Sequence, residues 1–375
     1  MAGYVFSLNN MESLKKIINN GVYSTNLTEP KNSRWLPHHE GTLTDYLTMK
    51  EGDNVYFFIK RKIYGIGILK NINDNCKFLN YPEADIPKMP IYGYIKDSLL
   101  LDETNESINN RFICSFYPHP YFFEKGIDMD DVLASNPDKF RILRAFWKLS
   151  FIKIADEENK ALRDIILKRN EEFLNIKKGR FLFSESLQNS IKHKLSEKYY
   201  LTSENILKYS SREDYIKHEM AIEAHIADII TNKKDSVFGK WDFISHQVIA
   251  SPFKPIDYMD KMDIFGYRNI AGFDTISKYL LIEIKRDSAN KEAINQLMKY
   301  VDWINQEYSH GDYSMIEAFL VAYDFPEDVI KEKENICKRN YIKGRRPTES
   351  AEWRNVRLIK YKYDNNTSNL VFEEV

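Results

Sequence analysis

The segment YLLIEIK, residues 279–285, constrains this chain more than any other. Strand alternation sends Leu280, Ile282 and Ile284 to one face, and Leu281, Glu283 and Lys285 to the other. A carboxylate and an ammonium on an otherwise apolar strand need partners that offset the loss of water. One arrangement that supplies them is a metal site. Glu283 ligates a hard divalent cation, and Lys285 beside it orients or helps deprotonate a water. The other is a cross-strand ion pair at a sheet edge, and Glu-x-Lys alone favours that second reading.

The flanking segments shift the balance. Asp263 opens an apolar strand, MDIFGY, that can run antiparallel to YLLIEIK through the loop around Gly272. It supplies a second carboxylate, with Asp274 and Asp260 as alternatives. The spacing of apolar residues predicts a helix over 215–230, in which Glu219 falls inside the stripe of Ile222, Ile226 and Ile230. Glu223 lies at the edge of that stripe and is an equal alternative for the helix carboxylate. A buried carboxylate there needs a cation or a partner such as Lys285 or Arg286. A long helix over 290–307 then buries Ile294, Leu297, Met298 and Val301. Gln296 and Tyr300, four apart, share a different face.

Glu219, Asp263, Glu283-Ile284-Lys285 and Gln296-Leu-Met-Lys-Tyr300 together resemble the PD-(D/E)XK nuclease superfamily, and within it the NucS and RecB-like branches. LLIEIKRDSANKEAINQLMKYV is similar to the NucS-like branch throughout, and also to the nuclease core of Shedu-type anti-phage proteins. The likeness spans roughly residues 215–325. Met262 stands in place of the proline of the family pattern, which many members also lack, and the separation of Asp263 from Glu283 is long.

The resemblance implies an α/β nuclease domain, a mixed sheet flanked by helices. Its activity would be Mg²⁺-dependent hydrolysis of phosphodiester bonds, with Mn²⁺ able to substitute. Asp263 and Glu283 would bind the metal, with Glu219 ligating directly or through water. Lys285 would position the water, and Gln296 would orient the lysine or a phosphate. Tyr300 would face the DNA backbone.

At 375 residues the chain exceeds one compact core. Its division is read as a β-rich domain over 1–138, a basic helical connector over 139–210 and the nuclease domain over 211–375, an α+β multidomain architecture. In the first part, GDNVYFFIKRKIYGIGIL reads as two strands about a short basic turn, preceded by a short helix over 10–19. That strand pair resembles the start of a PUA-like or EVE-like barrel, a fold that includes readers of flipped bases. Trp35, Tyr56, Phe58 and Tyr64 are the candidate cage residues, although aromatic residues on alternating strands more often build a core.

The net charge of −1 excludes a polybasic coat but conceals segregation. Residues 139–198 carry 15 basic and 8 acidic side chains, and residues 331–363 carry 11 and 4. Under the nuclease reading these segments would hold DNA, chiefly through Lys343, Arg345, Arg346, Arg354 and Arg357. Three scattered cysteines without a CxxC pair suit the cytoplasm. No apolar run is long enough to span a membrane. No GxSxG or P-loop motif occurs.

The expected function is therefore a DNA endonuclease of prokaryotic defence acting on phage or other foreign DNA. Its first domain would act as sensor, and the chain would form a homo-oligomer. A repair nuclease for mismatched or branched DNA and a non-catalytic DNA-binding protein are the alternatives.

Overall fold

The computed structural model describes residues 1–27, 30, 32–102, 104–119, 121–143, 151–176, 178–232, 236–250 and 260–375. The chain is a mixed α+β protein with several sheets, divided into two compact units. The first holds Met1–Ser33 and Met49–Leu201. The second holds Arg34–Thr48 and the described residues from Thr202 onward.

The first unit is built on one sheet in the order Val22–Asn26, Asn110–Pro118, Lys62–Leu69, Asn54–Ile59, Gly3–Ser7, Phe151–Ile154. Two short strands join it, Lys77–Leu79 and Ile127–Asp128. The expected hairpin is present. Ile59 pairs with Lys62, and the two turn residues Lys60 and Arg61 take φ of 44° and 72°. A two-residue turn between right-twisted strands requires that left-handed backbone. Phe57 packs against Phe6, Phe116 and Phe122 in the core. Helix Met11–Asn20 is capped by Asn10, whose side chain accepts the Ser13 N–H, and ends at Gly21 in the left-handed region.

Two expectations for this region change. The mainly helical segment expected over 139–210 includes a strand at Phe151–Ile154, antiparallel to Gly3–Ser7, ahead of helices Asp156–Arg169 and Ser186–Lys194. Phe-Ile-Lys-Ile alternates with period two, and the open edge of Gly3–Ser7 provides the pairing partner that local helical spacing ignores. Residues 144–150 of that stretch lie outside the described residues. The aromatic cage is core instead. Tyr56 and Tyr64 are buried, and the Tyr56 hydroxyl donates to Asn159 Oδ1 at 2.8 Å. Trp35 belongs to the other unit.

The second unit carries a six-stranded mixed sheet in the order Phe243–Ile249, Lys261–Asn269, Ile276–Ser288, Ile316–Asp324, Val356–Asp364, Asn369–Glu374. The first three strands are antiparallel neighbours, the third, fourth and fifth run parallel, and the sixth returns antiparallel. Parallel pairing of the third and fourth strands requires a crossover. Helix Lys291–Glu307 supplies it, with Asn290 accepting the Ala293 N–H at its start. Helix Glu219–Thr231 packs against the sheet and against helix Pro37–Leu47. It begins later than its spacing suggests, because Tyr215–Ile216 pairs as a strand with Ser211–Arg212. A hairpin, Arg339–Arg345 with Thr348–Trp353, precedes the fifth strand.

Among the described residues no helix is long and apolar enough to cross a membrane. Cys76, Cys114 and Cys337 are free and buried.

Candidate active site

Register assembles the site. His246 pairs with Ile264, Val248 with Met262, and Ile264 with Ile282. One rung along, Gln247, Asp263 and Glu283 fall in a single row across three strands. The separation of Asp263 from Glu283 is thus the length of two strands and their turn, and brings the carboxylates together. Asp274 lies exposed in that turn, at the other end of the hairpin. Asp260 pairs with Lys299 at 2.6 Å.

Glu283 is fully buried. Its Oε1 accepts from Lys285 Nζ at 2.7 Å, and its buried Oε2 has no hydrogen-bond partner. Asp263 Oδ2 accepts the Ile284 N–H at 2.7 Å, which ties the two strands at this rung. The Gln247 amide bridges Asp263 Oδ1 at 3.3 Å and Glu223 Oε1 at 2.9 Å. Glu223 is 2 % exposed on helix Glu219–Thr231. Glu219, at the start of that helix, accepts the Arg286 N–H at 3.2 Å.

Burial and the negative charges of Glu283 and Glu223 hold the Asp263 carboxyl well above the ordinary carboxylate range. Burial pushes Glu283 up to about 7, against the lowering influence of Lys285. Burial pulls the Lys285 ammonium down, but the charge and hydrogen bond of Glu283 outweigh it and raise it above its usual value. Acidic groups forced together without water form a place where positive charge is favourable.

The donors are of the chemistry a hard divalent cation prefers: buried carboxylate oxygens, two of them, Glu283 Oε2 and Glu223 Oε2, without a hydrogen-bond partner, and acidic groups whose mutual repulsion positive charge would relieve. As they stand, no three acidic, histidine or cysteine side chains among the described residues converge closely enough to hold one.

Gln296 donates to the Tyr300 hydroxyl at 3.1 Å. Tyr300 is buried, which pushes its phenol up to about 12, and it feels the charges of Glu283, Asp260 and Asp263. Lys343, Arg345 and Arg346 are exposed on the 339–353 hairpin. Arg354 and Arg357 are engaged within the protein. Arg354 pairs with Glu352 and, at 3.6 Å, with Glu334. Arg357 pairs with Glu374 at 2.9 Å and donates to the Val237 carbonyl, also at 2.9 Å.

Sequence reading passed over Gln247. Its only local signal is the polar triplet Ser245-His246-Gln247 inside the otherwise apolar run of residues 243–250, and it gains meaning only from the neighbouring strand.

The chain matches no known family model. It is 32 % identical over 129 residues to endonuclease NucS of Pyrococcus abyssi, a match covering 33 % of this chain and 44 % of the relative. It is 31 % identical over 104 residues to endonuclease NucS of Pyrococcus horikoshii, covering 27 % and 39 %. A crystal structure of a repair endonuclease from Pyrococcus abyssi aligns at 23 % identity and a TM-score of 0.22, covering 34 % of this chain and 46 % of that one. The chain spans less than half the length of the curated relatives it matches, and over about a third of its own length it is similar to endonuclease NucS.

Proposed function

We propose that this chain is a metal-dependent DNA endonuclease whose centre is the row of Asp263 and Glu283 with Lys285 beside it. The observation that carries the reading is the packing of these carboxylates in adjacent strands, buried, mutually repelling and flanked by one ammonium. The similarity to endonuclease NucS supports it independently.

Asp263, Glu283 and a glutamate of helix Glu219–Thr231 would hold the cation. Glu223 suits that role better than Glu219, because it shares the Gln247 amide with Asp263, whereas Glu219 is bound to the Arg286 backbone. A bound ion would supply Lewis-acid polarisation of the scissile phosphate and a more acidic water. Lys285 places a positive charge beside the phosphate oxygens as negative charge grows on them. Tyr300, oriented by Gln296, borders the same acidic row and offers its hydroxyl to the phosphate backbone. Lys343, Arg345 and Arg346 add positive charge for DNA on an exposed hairpin.

The first unit selects the substrate, and phage or other foreign DNA is the expected target. One such centre cuts one strand, so duplex cleavage calls for a homo-oligomer.

The test is cleavage of plasmid, linear, modified and mismatched DNA with Mg²⁺ or Mn²⁺. Wild type is expected to cut, and Lys285→Ala to fold without cutting. Equal cleavage by both would overturn the reading, and preference for mismatched substrates would assign repair in place of defence.

A further inference from the structure

Each oxygen of the Glu223 carboxylate has a residue of the strand Phe243–Ile249 beside it. His246 lies on the strand Phe243–Ile249, with Nε2 2.7 Å from Asp45 Oδ1 and Nδ1 3.5 Å from Glu223 Oε2, a charge contact of the protonated ring between two buried atoms that have no hydrogen-bond partner. The next residue, Gln247, donates from its amide to the other oxygen, Glu223 Oε1, at 2.9 Å. Adjacent residues on a strand face opposite sides, yet these two reach the same carboxylate.

The backbone explains how. Gln247 has a φ of 51°, in the left-handed region, in the middle of a paired strand. That conformation is uncommon for a residue with a long side chain, and it recurs where the surrounding structure enforces a special side-chain direction. Asp45 comes from helix Pro37–Leu47, far away in sequence, and that helix packs against the helix that bears Glu223.

We propose that Asp45, His246 and Gln247 are positioning residues that aim the Glu223 carboxylate at the row of Asp263 and Glu283. The inference rests on the nuclease reading above and extends it. Asp45 fixes the imidazole ring, the ring faces one oxygen of Glu223, and the Gln247 amide ties the other oxygen to Asp263. Side chains one step behind metal ligands orient them, and their loss characteristically lowers metal affinity or activity by about 10- to 100-fold. A role limited to holding a helix on the sheet would change stability and leave metal affinity alone.

The experiment uses the full chain and five variants, Gln247→Gly, His246→Gln, His246→Asn, Asp45→Asn and Glu283→Gln. Mn²⁺ affinity is measured by calorimetry, plasmid cleavage against Mn²⁺ concentration, and folding by circular-dichroism melts. Glycine accepts the backbone at 247 while removing the amide. Gln247→Gly and His246→Gln are expected to fold, to bind Mn²⁺ about tenfold or more weakly, and to need correspondingly more Mn²⁺ to cut. His246→Asn, whose amide occupies the place of Nδ1, is expected to retain most of the affinity. Asp45→Asn is expected to fall between the two.

Wild-type Mn²⁺ affinity in both Gln247→Gly and His246→Gln, with affinity lost in Glu283→Gln, would overturn the inference and leave the nuclease reading standing. Wild type that neither binds Mn²⁺ nor cuts would overturn both. Should the His246 variants fail to fold, Gln247→Gly decides.

Discussion

Each compact unit buries a glutamate, and burial pushes both up to about 7. In the first unit Glu158 sits in the first turn of helix Asp156–Arg169. It accepts the N–H groups of Leu143 at 2.7 Å and Ile142 at 3.3 Å. Its oxygens are satisfied by backbone, and no second acid crowds it among the influences on its ionisation. In the second unit Glu283 has one ammonium, one oxygen without a partner, and the charges of Glu219 and Glu223 close by. Similar burial thus has two meanings. Glu158 is a peg that closes loop backbone onto a helix. Glu283 is an acid left with an unpartnered oxygen among other acids, the arrangement expected under the proposed function.

The contrast is broken most forcefully by Glu283→Gln. Cleavage is expected to fall by about a thousandfold or more, since a ligand and its charge are lost together. The melting temperature is expected to hold or rise, because a repelling charge is removed. A kinetic assay beside a thermal melt checks both halves. A large drop in melting temperature would place Glu283 with the structural pegs.

Glu158→Ala is expected to do the reverse. Two backbone N–H groups lose their acceptor, at a cost of about 2–4 kcal/mol, while protein that remains folded cuts at the wild-type rate. Urea unfolding and specific activity separate the two effects.

Acidity sharpens the same comparison. The Glu158 carboxyl ionises near 4.5 in the unfolded chain and near 7 in the fold. The stability it contributes is therefore full below about 4.5 and lost as pH rises through about 7. The difference is on the order of 3 kcal/mol. Urea midpoints at pH 5 and pH 8 should differ more for wild type than for Glu158→Gln.

Added Mn²⁺ at about 100 times its Kd should stabilise wild type and Glu158→Gln by about 2.7 kcal/mol and leave Glu283→Gln unmoved. The smallest effect is expected at the exposed hairpin. Arg345→Ala with Arg346→Ala should weaken DNA binding uniformly across sequences and reduce its salt slope by about 2, read by anisotropy titration.

Legibility in the sequence followed the reach of the forces involved. The strands at Lys261–Asn269 and Ile276–Ser288 and the helix Lys291–Glu307 were readable, because alternation, helical spacing and the Asn290 cap are local signals. The strand Phe151–Ile154 was not, because its pairing partner lies at the start of the chain. The hairpin of 339–353 was read only as a basic segment, since its charges interrupt the apolar alternation by which strands are recognised. Arg354 and Arg357 are expected from sequence to hold DNA, and only the fold shows that Glu334, Glu352 and Glu374 lie beside them.

Sequence alone determined that two carboxylates and a lysine meet on neighbouring strands. Alternation places Glu283 and Lys285 on one face of a strand, and the turn after Asn269 returns that strand alongside Asp263. Both are consequences of backbone geometry over a few residues. Tertiary structure alone set the Gln247 amide between Glu223 and Asp263 and the Glu219 carboxylate against the Arg286 backbone. The rotation of helix Glu219–Thr231, the left-handed turn at Gln247 and the approach of Asp45 depend on packing between segments about 200 residues apart. A buried carboxylate is defined by what surrounds it, and those surroundings exist only once the chain has closed around it.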